Sequence, residues 1–173
     1  MVQRQRRPAT VQETKALAHP LRLRVLRLCM GQELTNKQLA ERLGRDPGTV
    51  LYHVRQLVAA GFLEVGEVRA GAGGALEKPY RSTDRSWWLD GPLGDDGPPA
   101  PLAPLQAFQE ELAEAGPESV RTYARFALHL SPEELAELDR RISAVLDEYV
   151  ATDDQRLDRP LHGGIFVLHR LVR

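Results

Sequence analysis

The chain has one cysteine, few aromatic residues and no long apolar run. A single cysteine excludes an intrachain disulfide and suits the cytoplasm. Without about 18 consecutive apolar residues, a membrane-spanning helix is excluded. The basic N-terminus is not followed by an apolar segment, so it is not a signal peptide. We therefore predict a cytoplasmic protein that does not contact a membrane.

Catalytic motifs are also missing. The chain has no phosphate-binding loop, nucleophile elbow or metalloprotease helix. The segment 71–74 is glycine-rich, but it lacks the Lys-Ser/Thr pair of a phosphate-binding loop. We therefore predict no enzyme activity and no cofactor; a metal site is the least favoured of the three interpretations of the C-terminal region given below.

Charge is distributed unevenly along the chain. Residues 1–88 contain 15 Lys/Arg and 8 Asp/Glu, a net charge of +7, whereas residues 89–173 contain 8 and 16, a net charge of −8. The net charge of the whole chain is near zero, but its N-terminal half is basic. A basic domain suits binding to a phosphate backbone. DNA would repel the acidic half, which we expect to face away from it.

The segment 35–63 predicts two short helices joined by a tight turn. Thr35 and Gln38 form the capping-box pattern that begins a helix. Gly44 ends that helix, because glycine adopts the left-handed backbone conformation of a helix C-terminus without steric cost. Asp46 then caps a second helix, which ends near Gly61. This arrangement is typical of a helix-turn-helix, whose second helix enters the DNA major groove.

The second helix has one apolar side. Val50, Val54 and Leu57 recur at helical spacing and form a predicted buried stripe. At about 100° per residue, the opposite side is polar. That side carries Gly48, Tyr52 and Arg55, flanked by Thr49, Leu51 and Gln56.

The flanking segments complete a winged helix. Two helices are predicted before the motif, from Thr10 to about Ala18 and from Pro20 onward. After it, residues 62–68 and 79–83 are predicted strands around a tip containing Gly71, Gly73 and Gly74.

Three runs resemble the ArsR-like winged helix-turn-helix regulators of bacteria: ALAHPLRLRVLRLC (residues 16–29), LTNKQLAERLG, and TVLYHVRQLVAAGFLE. The resemblance covers roughly residues 10–88, about half of the chain. It implies a homodimer that binds a palindromic operator, usually as a repressor. Many members sense metal through paired cysteines, and this chain has Cys29 alone. The resemblance therefore does not imply metal sensing here.

We predict that the two helices and the wing contact double-stranded DNA. Arg55 suits a phosphate or a guanine, and Thr49 a phosphate or a thymine methyl group. The alternative is that such residues are merely solvated, or that the winged helix binds a protein instead. The predicted DNA-binding residues are Asn36, Lys37, Arg45, Pro47, Thr49, Leu51, Tyr52, Arg55, Arg69, Lys78 and Arg81.

The predicted fold class is mainly α with small β sheets (α+β). We divide the chain into a disordered basic tail (1–9), the winged helix-turn-helix (10–89), a Pro/Gly-rich linker (90–104) and a C-terminal region (105–173). Trp87 and Trp88, which close the winged domain, are predicted to be buried, as is Cys29.

The C-terminal region is predicted to contain helices at 105–115 and 132–150, with strands at 123–130 and 164–172. Three interpretations of this region stay open. It could be a dimerisation module, which we favour, a sensor domain for a small-molecule effector, or a metal site. The metal ligands would come from His129, His162 and His169 with Asp153, Asp154 or Asp158.

Overall fold

The structure is a computed structural model that describes residues 6–70, 74, 76–90 and 102–171. It contains two compact units, residues 1–114 and 115–173. The predicted linker and glycine tip lie mostly outside the described residues. The predicted fold class, mainly α with small sheets, is confirmed.

The helices begin and end close to where the sequence predicts. The two predicted capping boxes form in the N-terminal unit, at Thr10 with Glu13 and at Thr35 with Gln38. Gly44 has a φ of 58° and ends its helix in the left-handed conformation. The helices are α1 (Val11–Leu17), α2 (Pro20–Leu28), α3 (Asn36–Leu43), α4 (Pro47–Ala59), α5 (Ala103–Ala115) and α6 (Pro132–Val150).

The strands are short and form three small sheets. They are β1 (Arg7–Pro8), β2 (Leu34–Thr35), β3 (Leu63–Val65), β4 (Arg69–Ala70), β5 (Leu76–Glu77), β6 (Pro79–Ser82) and β7 (Leu89–Asp90). The central sheet is antiparallel in the order β2-β6-β3, and β2 was not predicted. The hairpin β4–β5 forms the wing, and β1 pairs in parallel with β7.

Part of the predicted disordered tail has a defined place in the N-terminal unit. Arg7 pairs in register with Leu89, and its guanidinium contacts the Glu13 carboxylate at 2.6 Å. Glu13 is buried and also accepts hydrogen bonds from Thr10. The hydrogen bond from Arg7 is the main cause that lowers the pKa of Glu13 to about 2. The described residues 6–9 are therefore part of the folded unit.

One hydrophobic core holds the winged domain together. It contains residues of the four helices α1, α2, α3 and α4, residues of the central sheet, and Leu89. Phe62, Leu39 and Val25 are fully buried in it. Cys29 is buried there as well, and burial raises the pKa of its thiol to about 12. This environment fits the interpretation of Cys29 as a small core residue.

Trp87 and Trp88 are only half-buried, so the prediction that both are core residues is wrong. They lie in a single 3-10 turn, Arg85–Trp88, at the edge of the unit. The Arg6 guanidinium lies 4.9 Å from the centre of the Trp87 ring. How far the two rings are buried depends on the residues that pack against them at this boundary, which sequence alone does not indicate.

Helix α5 belongs to the N-terminal unit up to Glu114, although the sequence placed it in the C-terminal region. Ala103 and Ala107 are buried. The buried Arg24 of α2 donates to Glu110 at 2.9 Å and to Glu114. Some of the acidic surplus therefore neutralises Arg24 of α2.

The C-terminal unit contains α6 with its predicted capping box, Ser131 and Glu134. The predicted strands at 123–130 and 164–172 are wrong for the described residues, which have no regular secondary structure there. Alternating apolar residues form a strand only when another strand supplies hydrogen bonds. Within the described ranges, no helix is long and apolar enough to span a bilayer.

Candidate nucleic-acid interface

Helix α4 is fixed at its N-terminus by two side chains. The Asp46 carboxylate accepts a hydrogen bond from the Thr49 amide at 2.9 Å, and Pro47 occupies the first turn. The Asn36 amide nitrogen donates to the Pro47 carbonyl at 2.9 Å. These contacts cap the first turn of α4 and tie it to the start of α3.

The two sides of α4 differ as the sequence predicts. Val50, Val54 and Leu57 are each 0% exposed and face the core. Tyr52 is 58% exposed, and Arg55 is exposed beside it. A rigid helix with an aromatic and a cationic side chain on its open side suits insertion into a DNA groove.

The other residues near α4 that are predicted to contact DNA differ in solvent exposure and in the partners they already have. Arg45, Pro47 and Thr49 are exposed, whereas Leu51 is half-buried. Asn36 is occupied by its bond to Pro47, which supports a structural role. Lys37 is exposed on α3, with its ammonium 4.0 Å from Glu41, a weak surface pair that leaves it available to a phosphate.

Three cationic side chains in and beside the wing differ in how freely they could bind an anion. Lys78 is exposed and makes no ion pair with any described residue. Arg81 is also exposed, but its guanidinium contacts Glu64 at 2.6 Å. Arg69 is exposed on β4 and lies in register with Glu77. We therefore expect Lys78 to contribute more to anion binding than Arg81 does.

An open groove of about 420 Å³ separates α4 from the central sheet. Val65 and Tyr80 are register partners on the sheet side. The groove thus brings two cations from distant parts of the chain, Arg55 and Lys78, to one concave surface. It is lined by Leu51, Arg55, Val58, Ala59, Val65, Lys78 and Tyr80.

A second groove, of about 580 Å³, contains cations that the sequence analysis missed. Lys15 and Arg22 line it together with Tyr52 of α4. The Arg22 guanidinium donates to the Ala16 carbonyl at 2.5 Å and to the Lys15 carbonyl at 2.6 Å, which caps the end of α1. No local pattern could have identified these residues, because the fold brings them to α4.

A histidine pair joins α4 to the N-terminal end of α2. The rings of His19 and His53 are 4.4 Å apart, and the His53 Nδ1 is buried without a hydrogen-bond partner among the described residues. Burial is the main cause that lowers the pKa of His53 to about 4, with smaller effects from His19 and Arg22. Both rings are therefore packed as neutral groups at neutral pH.

The described residues contain no cluster of three or more His, Cys, Asp or Glu side chains that could hold a metal ion.

Comparison with known proteins identifies the motif. Residues 17–66 match the family model described as a helix-turn-helix domain. The chain is also similar to the solved structure of the adhesin competence repressor (AdcR) from Streptococcus pyogenes. The two sequences are 17% identical, and the match covers 80% of this chain and 81% of the AdcR chain with a TM-score of 0.29. No curated protein matches the chain.

The chain therefore contains a helix-turn-helix domain of the winged type, as the ArsR-like resemblance implies. Together with the open face of α4, the match supports a DNA-binding transcriptional regulator.

Proposed function

We propose that the protein is a homodimeric transcriptional repressor, which binds an operator in double-stranded DNA and acts in the cytoplasm. The observation that carries the proposal is the contrast between the two sides of α4. One side is fully buried, and the other presents Tyr52 and Arg55 to solvent. A buried side fixes the helix, and the open side remains available for base edges.

In the proposed complex, α4 of each subunit enters the major groove, and two successive grooves about one helical turn apart are occupied. Lys78 and Arg69 contact the backbone beside the wing. Lys37 and Arg45 contact phosphates near the start of α4, where helix N-termini also favour anions.

The test is a gel-shift titration with DNA from upstream of the protein's own gene, at two salt concentrations. We expect sequence-preferring binding that weakens as salt rises, because phosphate contacts release counterions. The double variant Tyr52→Ala/Arg55→Ala should lose sequence preference and at least about tenfold in affinity. The matched control is Tyr123→Ala/Arg125→Ala, which removes the same residue types from the C-terminal unit and should bind as the wild type does.

The competing function is a winged-helix module that binds a protein instead of DNA. It is favoured by the half-buried Leu51 and the exposed Tyr52, which give α4 some apolar surface. A folded wild-type protein that binds no DNA at low salt would contradict the repressor proposal and favour this module.

A small-molecule effector would act by favouring one separation of the two α4 helices over another, since a ligand shifts an equilibrium only through different affinities for the two states. The proposal of repression is tested by transcription from the operator in vitro. Activation by the protein would contradict it.

A further inference from the structure

The open side of α4 lies between two grooves of the N-terminal unit. Tyr52 and Gln56, about one helical turn apart, line the groove that α4 forms with α1 and α2, which we call the helical groove. Leu51 and Arg55, also about one turn apart, line the groove that α4 forms with the central sheet, which we call the sheet groove. At about 100° per residue, these two pairs lie about 100° apart around the helix axis. The two grooves therefore run along the two edges of the exposed side of α4.

The helical groove is cationic. It contains Lys15, in the last turn of α1, and Arg22 of α2, and none of the described residues that line it is Asp or Glu. Neither Lys15 nor Arg22 makes an ion pair with a described residue, whereas Arg24 and Arg27 of α2 are paired with carboxylates of α5. The described part of the chain therefore leaves two positive charges in this groove without a counter-charge.

The backbone of α1 holds Arg22 in a fixed orientation. Its Nε donates to the Ala16 carbonyl at 2.5 Å, and its Nη2 donates to the Lys15 carbonyl at 2.6 Å. A guanidinium has five N–H donors, and the Nη1 of Arg22 makes no hydrogen bond with any described residue. An oriented guanidinium with free donors suits a phosphate oxygen, because planar N–H donors match phosphate geometry and little side-chain freedom is lost on binding.

The sheet groove has the same charge pattern. It contains Arg55 and Lys78, neither of which makes an ion pair with a described residue, and no acidic residue is among those described that line it. An α-helix with its side chains is about 10–12 Å wide, and the major groove of B-DNA is about 12 Å wide. A helix in the major groove therefore has a phosphate backbone along each of its two sides, one from each strand. Two cationic grooves along the edges of α4 match these two rows of phosphates.

We propose that Lys15 and Arg22 bind the phosphate backbone of one DNA strand and that Lys78 binds the backbone of the other strand, with α4 in the major groove between them. This inference rests on the proposed function and deepens it by adding a second contact surface. Lys15 lies outside residues 17–66, which match the helix-turn-helix model, so the surface is not part of the motif alone. Phosphate contacts carry no sequence information, and their role is to fix the position of α4 in the groove.

The first experiment measures the salt dependence of binding by fluorescence anisotropy, with DNA from upstream of the protein's own gene and with an unrelated duplex. Lys15→Ala should weaken binding to both duplexes about three- to tenfold at low salt, and should lower the slope of log affinity against log salt by about one per bound chain. The preference for the upstream DNA should not change. Arg22 is kept in this variant, because its replacement would also remove the hydrogen bonds that cap α1.

The matched control is Arg42→Ala. Arg42 is an exposed cation on α3 of the same unit, makes no ion pair with a described residue and lines neither groove. Its removal changes the net charge by the same amount as Lys15→Ala, but it should change the affinity less than about twofold, because salt screens distant charges.

A second variant, Val11→Glu, places a carboxylate in the helical groove. Val11 is 73% exposed in the first turn of α1, where the helix dipole favours a negative charge, so the fold should be kept. Binding should weaken at least as much as in Lys15→Ala, because the carboxylate repels phosphate. Emission from Trp87 and Trp88, both in the N-terminal unit, verifies that each variant is folded.

The second experiment locates the contacts on the DNA. Uncharged methylphosphonates replace the phosphates of the upstream duplex one at a time on each strand, and each replacement of a bound phosphate should weaken wild-type binding. Within each half-site, Lys15→Ala should lose this sensitivity at a phosphate of one strand, and Lys78→Ala at a phosphate of the other strand.

The outcomes separate this inference from the proposed function. A Lys15→Ala protein that binds DNA as Arg42→Ala does would overturn the contact at the helical groove and leave the repressor in place. Loss of sensitivity on the same strand in the Lys15 and Lys78 variants would overturn the arrangement across the major groove. A folded wild type that binds no DNA would overturn the proposed function, and the inference with it.

Discussion

Helices α4 and α6 begin in the same way, with a capping side chain followed by proline, and both are amphipathic. Their apolar sides differ in environment. Val50 and Val54 of α4 are 0% exposed, whereas Leu135 of α6 is 44% exposed within a single chain. Local signals therefore specify where a helix starts, and the rest of the fold decides whether its apolar side becomes core or remains available for binding.

The sharpest test of this contrast is one substitution made in each unit. Phe62 is fully buried, and Phe126 is 51% exposed. We expect Phe62→Ala to lower the free energy of unfolding by about 4 kcal/mol, because it removes a large core side chain and leaves a cavity. Phe126→Ala should leave the unfolding of the N-terminal unit within about 0.5 kcal/mol of the wild type. Urea denaturation followed by tryptophan emission measures both, and equal losses would contradict the contrast.

The contrast between the units also shows what sequence can predict. Capping boxes and Gly44 are local signals, so the helix starts and the turn into α4 follow from a few neighbouring residues. The bond between Arg24 and Glu110 joins residues 86 apart, and no local pattern contains it. Likewise, the alternation in residues 123–130 resembles a strand, but a strand also needs a neighbour that the pattern does not supply.

The residues of the candidate site also divide into those that local sequence predicts and those that depend on tertiary contacts. The open side of α4, with Tyr52 and Arg55, could be predicted because helical periodicity alone places it opposite the buried stripe. The bond of Asn36 to Pro47 and the ion pair of Arg81 with Glu64 could not, and both reduce the availability of predicted contacts. Lys15 and Arg22 were missed because tertiary packing brings them to Tyr52.

Removing the ion pairs of Arg24 should destabilise the N-terminal unit less than removing the Phe62 side chain. Glu110→Gln/Glu114→Gln removes both ion-pair partners of the buried Arg24, and we expect a loss of about 2 kcal/mol in the N-terminal unit, because the two carboxylates are partly exposed and solvent screens the pairs. The matched change on α6, Glu133→Gln/Glu137→Gln, removes only exposed carboxylates and should not change the urea midpoint reported by tryptophan emission. A loss in the α6 variant as large as in the α5 variant would contradict this difference.

Acid should destabilise the N-terminal unit through His53. Its pKa is lowered to about 4 in the folded state, chiefly by burial, against about 6.5 when unfolded. The unfolded chain therefore binds the proton more tightly, and stability falls as the pH decreases from about 6.5 toward 4. Between pH 7.5 and 5 we expect a loss of about 2 kcal/mol.

The variant His53→Leu should remove most of this pH dependence, measured by urea denaturation at both pH values. The Glu13 carboxylate does not interfere, because its pKa is lowered from 4.5 to about 2 and its contribution is lost only below pH 4.5. An unchanged pH dependence in the variant would assign the effect to another group, such as His19.

The smallest expected effect concerns single surface cations. Lys78→Ala should weaken DNA binding about three- to tenfold at low salt and reduce its salt dependence, because one phosphate contact is lost. Arg81→Ala should have a smaller effect, since Glu64 already holds that guanidinium. Arg159→Ala, an exposed cation of the C-terminal unit, should have none. Equal effects at Lys78 and Arg159 in a gel shift would place DNA contacts in both units.

The parallel pair of β1 and β7 has a consequence for modularity. It joins Arg7–Pro8, where the described chain enters the winged domain, to Leu89–Asp90, where the chain leaves it. Domains whose ends lie side by side tolerate insertion into other proteins and circular permutation, because their attachment points coincide. The segment from Arg7 to Asp90 can therefore be attached to a host at two neighbouring strands, but a transplanted domain keeps the partners of Arg24 only if α5 accompanies it.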